Sequence, residues 1–105
     1  MESSEFIEMV RKILDAESEV RERAADEVTD RLGAYSPAQA SALATLLSAA
    51  AVCEEGSALE AELHAVLELM STGHVSREHV LQLQEIRLEG LPSEAREYVT
   101  DLLEG

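Results

Sequence analysis

Apolar residues recur along this chain in three copies of one spacing. Ser18 is followed by Val20, Ala24 and Val28, Ser57 by Leu59, Leu63 and Leu67, and Ser93 by Ala95, Val99 and Leu103. In each copy the apolar positions fall two, six and ten residues after the serine, close to a stripe on one face of a helix. The serines are 39 and 36 residues apart. A repeat of that length predicts stacked helix pairs, each burying its stripe on its neighbours.

Six helices follow from the pattern and its punctuation. The first spans about Ser4 to Asp15, with Phe6, Val10, Ile13 and Leu14 on one face and Ile7 beside them. The second runs from Glu19 to Leu32, with Ser18 as N-cap and Gly33 as a left-handed stop. Ser36 and Pro37 open the third, where proline's missing N–H costs nothing, and it runs to about Cys53. Ser57 and Glu60 have capping-box spacing and start the fourth, which ends near Met70. Ser76 caps the fifth, which reaches Leu88, and Leu91, Pro92 and Ser93 open the last, which reaches about Leu103. Gly33, Gly56, Gly73 and Gly90 each stand just past a helix end. Residues 81–84 alternate like a strand, but no second strand candidate exists to satisfy its backbone, so a helix is expected there too. Short connections make successive helices antiparallel neighbours. The expectation is an all-α single domain over residues 1–105, three antiparallel helix pairs stacked as a short solenoid or an irregular helical bundle.

Composition narrows the core and the partners. With 46% hydrophobic but only 3% aromatic residues, the core must be built from Leu, Val, Ile and Ala. The net charge is −14, from 22 acids against 8 bases. That sign repels nucleic-acid phosphate and anionic membrane surfaces. It attracts a basic protein, or else simply keeps a small protein soluble. Cys53 is the single cysteine, so no internal disulfide forms, and it reads as a small core residue. The first five residues lack the basic start and apolar run of a signal peptide. Residues 33–53 carry no charge but are too weakly apolar for a membrane span, and read as a helix covered on several sides. A cytoplasmic location is expected. Seven arginines against one lysine, with abundant alanine, suggest a GC-rich bacterial genome.

The second helix carries Val20, Arg21, Ala24, Ala25 and Val28 after the acids Glu17 and Glu19. This resembles the second helix of a HEAT repeat, in which an acidic turn is followed by Val-Arg, then Ala, then an aliphatic residue. The third copy keeps Arg96 but has Ala95 for valine, and the middle copy departs with Leu59 and Glu60. The resemblance implies a HEAT-like stack and protein binding as its use. Size, charge and the helix around residues 62–69 are also similar to some bacterial immunity proteins, which neutralise a toxin by binding it.

Catalytic chemistry finds little support in the residue pattern. His74 and His79 are five apart, whereas zinc-binding helices place two histidines four apart, and no thiol pair accompanies them. His64 reads as a boundary or contact residue. The carboxylates lie on expected solvent faces, where they titrate ordinarily. No phosphate-cradling glycine loop is present. No catalytic residue, cofactor or metal is therefore expected. The best candidate is an acidic stripe on the second helices, with Glu19, Glu22 and Asp26 on one and Glu94, Glu97 and Asp101 on another. The middle helix has Ala58, Ala61, Ala65 and Glu68 at those positions, which predicts a neutral groove between two acidic ridges. The expected partner-binding residues are Glu22, Asp26, Glu60, His64, Glu97, Tyr98 and Asp101.

These residues point to a non-enzymatic immunity or inhibitor protein that binds a basic toxin or enzyme through an acidic helical face. Two alternatives stand beside it. One is a scaffold or homo-oligomeric subunit that covers Leu88, Leu91 and Leu103 at the end of the stack, and the other is a small enzyme or metal-binding protein.

Overall fold

The computed structural model describes residues 1–104. Its helices are α1 (Ser3–Ile13), α2 (Ser18–Asp30), α3 (Pro37–Val52), α4 (Gly56–Ser71) and α5 (Ser93–Glu104). A single 3₁₀ turn, Leu32–Ala34, follows α2, and a longer 3₁₀ helix, Arg77–Glu85, stands between α4 and α5. No strand occurs among the described residues.

The packing partners define two layers. α1 pairs with α2, α3 with α4, and the 3₁₀ helix with α5. Along the stack, α3 touches both α1 and the 3₁₀ helix, while α4 touches both α2 and α5. The first layer is thus α1, α3 and the 3₁₀ helix, and the second is α2, α4 and α5. α4 is buried along Leu59, Leu63, Val66 and Leu69, as expected for a central helix with neighbours on three sides.

The fifth helix is 3₁₀ and not α, and its side chains explain why. Val80 and Leu83 are fully buried and Ile86 packs on the same core, a period of three residues. A 3₁₀ helix places residues three apart directly above one another. An α-helix would rotate Leu83 off the line through Val80, while Ile86 follows just past the helix end in extended conformation. Gln82 reinforces the register by donating from Nε2 to the Thr45 carbonyl at 2.9 Å, on α3.

Several local expectations are corrected. Ser18 lies inside α2. Glu17 is the boundary residue, and its N–H donates to Asp15 Oδ1 at 2.9 Å. Ser57 is not the cap of α4, because the helix already begins at Gly56. Ser36 does form a capping box, with Gln39: each side chain accepts the other's backbone N–H, at 3.1 and 3.0 Å. On α1 the buried residues are Met9 and Ile13, while Ile7 and Leu14 are 52% and 58% exposed. α1 packs on α2 and α3, and Ile7 and Leu14 lie on the side that these two leave uncovered.

Gly33 and Gly73 separate two roles that the sequence merged. Gly73 has φ +83° after α4, whereas Gly33 sits in the 3₁₀ turn without a positive φ. A Cβ at either position meets nothing within 4 Å. Gly73→Ala is therefore expected to cost about 1 kcal/mol through conformation alone. Gly33→Ala should be neutral or stabilising by about 0.5 kcal/mol. Urea denaturation of the two variants checks both.

Candidate protein-binding face

The two layers differ sharply in charge. The second-layer helices α2, α4 and α5 carry twelve acids against three arginines. The first-layer helices carry four acids against three cations, and α3 has no charged residue. The acidity of the chain is thus concentrated on one layer by the order of the helices: α2 and α5 hold the acidic copies of the repeat, and α4 adds Glu60, Glu62 and Glu68 at other positions.

All seven expected contact residues lie in this layer. Asp26 on α2 and Glu97 and Asp101 on α5 are exposed, while Glu22, Glu60, His64 and Tyr98 are half-buried. His64 and Tyr98 are brought together across the α4–α5 joint, with ring centroids 5.9 Å apart and planes tilted by 43°. Glu68, one turn along α4, holds His64 Nε2 at 3.3 Å. Glu22 is not an isolated ridge residue: its Oε1 accepts the Ser57 hydroxyl at 2.7 Å and ties α2 to the start of α4.

The neutral groove between two ridges is not formed as expected. Ala58 and Ala65 are buried, because α2 and α5 close over that side of α4. The outward positions of α4 are instead Glu60, Ala61, His64, Leu67 and Glu68, so the middle helix adds acids and a ring to the face. A shallow groove of about 320 Å³ runs beside it, with Leu67, Met70 and Leu102 in its wall and Glu68 and Asp101 at its edge.

The carboxylates are not all ordinary surface groups. Glu62 on α4 is fully buried, and neither of its oxygens has a hydrogen-bond partner. Its neighbour Glu54, in the α3–α4 link, is held by Arg21 of α2, with Nε and Nη2 donating at 2.6 and 2.9 Å. Arg21 Nη1 also donates to the Asp15 carbonyl at 2.8 Å. This Arg21 hydrogen bond holds the Glu54 carboxyl below the usual carboxylate range. Burial, and then the Glu54 charge, push Glu62 up to about 8. The pair was missed because Glu62 read as one acid among many. Its signal was the spacing Leu59, Glu62, Leu63, Val66, Leu69, which sets it inside the apolar stripe.

Other sequence candidates fall elsewhere. Cys53 is exposed at the end of α3 and is not a core residue. His79 Nδ1 accepts the Ser76 N–H at 3.2 Å, and His74 is exposed. Among the described residues no group of three or more His, Cys, Asp or Glu side chains is placed to hold a metal ion. Leu91 and Leu103 pack on the core, leaving Leu88 as the exposed leucine of the three named for the stack's end. No helix is long and apolar enough to cross a membrane. Compared with known proteins, the chain matches no family model, no curated protein and no solved structure.

Proposed function

We propose that this chain is a non-enzymatic, HEAT-like protein-binding module of the immunity or inhibitor type. It acts in the cytoplasm on a basic toxin or enzyme, held one-to-one by the second-layer face. The observation that carries this reading is the charge asymmetry between the layers, twelve acids to three arginines on one and four acids to three cations on the other. Such a face steers a cationic surface into register. A nucleic-acid-cleaving enzyme suits it, because that enzyme must present cations to phosphate. Glu22, Asp26, Glu60, Glu97 and Asp101 supply the field, and the Tyr98–His64 pair at the α4–α5 joint supplies the desolvated anchor.

Reversing charge at Asp26 and Asp101 together, both to lysine, is expected to slow association about tenfold or more in low salt, and much less in high salt. Stopped-flow or surface-binding kinetics read this directly. Unchanged rates would remove the steering claim. The self-associating scaffold is the second reading, favoured by the exposed Ile7, Leu14 and Leu81 of the first layer. Light scattering separates it, since a concentration-dependent mass supports the scaffold and a constant monomer mass opposes it.

A further inference from the structure

Glu62 is the one ionisable side chain among the described residues that is wholly removed from solvent. A lone carboxylate in that position is costly, and its environment offers no cation of its own. The Arg21 fork is turned onto Glu54 through Nε and Nη2, and onto the Asp15 carbonyl through Nη1. α3, which packs against α4, contributes no charged side chain at all. The charged groups that act on Glu62 are Glu54, which disfavours its charge, and Arg21, which favours it. Asp15 acts one step removed, on Arg21.

We infer that Glu54 and Glu62 form one proton-binding site in the joint between α2 and α4, and that this joint packs fully only while Glu62 is a neutral acid. The inference stands on the joint itself and does not depend on the proposed binding partner. Losing the Glu62 proton sets a second negative charge beside Glu54 where no water reaches it, in the joint that the Glu22–Ser57 hydrogen bond also spans.

The folded Glu62 carboxyl is raised from its ordinary 4.5 to about 8, so between those values the native state binds more protons than the unfolded chain. The stability contributed by Glu62 is full below about 4.5 and is lost as pH rises through about 8. Glu54 works in the opposite sense. Its carboxyl is lowered, so its contribution is present above the ordinary value and is lost as pH falls through its folded pKa. The site therefore stabilises most in mildly acid solution.

Carbon-13 NMR of the glutamate carboxyls in the unaltered protein tests this directly. One resonance is expected to titrate near 8. Glu62→Gln should abolish that resonance. It should also hold the urea midpoint level between about pH 6 and pH 9, where the unaltered protein's midpoint falls. Titration of every glutamate in the ordinary carboxyl range would overturn the inference. So would midpoints that fall in parallel for the protein and the variant. The NMR measurement decides the matter even if Glu62→Gln fails to fold.

Discussion

Leu63→Ala is expected to remove about 3–4 kcal/mol of stability, read from urea denaturation. Leu63 is fully buried at the middle of α4, and α4 is the one helix packed against α2, α3 and α5 together. Truncation leaves a cavity that those neighbours cannot collapse into without parting from one another. A domain of this size has about 5–15 kcal/mol in total, so the loss is a large share of the whole. Leu14→Ala is the control. Leu14 was expected on the buried face of the first helix, but it is 58% exposed, and its truncation should stay within about 0.5 kcal/mol. Equal costs at the two sites would contradict the layered packing.

Tyr98→Ala is expected to weaken binding to the proposed basic partner about 30-fold, mainly by faster dissociation. Tyr98 is half-buried, packs on the core and faces His64 across the α4–α5 joint. A large, partly fixed ring among carboxylates gives a cationic partner both apolar area and a π-face, while the surrounding acids act at longer range. Tyr98→Phe keeps the ring and should retain most of the affinity. Calorimetry or surface-binding kinetics at physiological salt measures both. An alanine variant that binds as well as the unaltered protein would move the contact away from this joint.

The helices and their order were legible because they rest on periodic information. Three apolar stripes of one spacing, glycines between them, and Pro37 after Ser36 all act over a few residues, where sequence and local conformation correspond closely. What was not legible depends on neighbours remote in the chain. The acids of α4 illustrate this. Glu60 and Glu68 border solvent while Glu62 does not, and the difference is set by how α2 and α5 close over α4. The same closure buried Ala58 and Ala65 and removed the expected groove. Cys53 failed for a related reason: an uncharged helix looks buried all round, yet α3 has neighbours on only part of its circumference. The 3₁₀ segment did leave a mark, the three-residue step Val80, Leu83, Ile86, but that step also fits part of an α-helical stripe. The alignment of the acids of α2 and α5 on one layer, by contrast, followed from the repeat itself, since these two helices carry acids at the same positions.

Recovery of partners from the source cell's lysate most directly tests the acidic face, using the unaltered protein beside the Asp26→Lys, Asp101→Lys double variant at low and physiological salt. The expected result is a single basic protein, one-to-one with the unaltered chain, weakened by salt and depleted from the variant. Equal recovery by both proteins, or recovery of nothing but the chain itself, would contradict it.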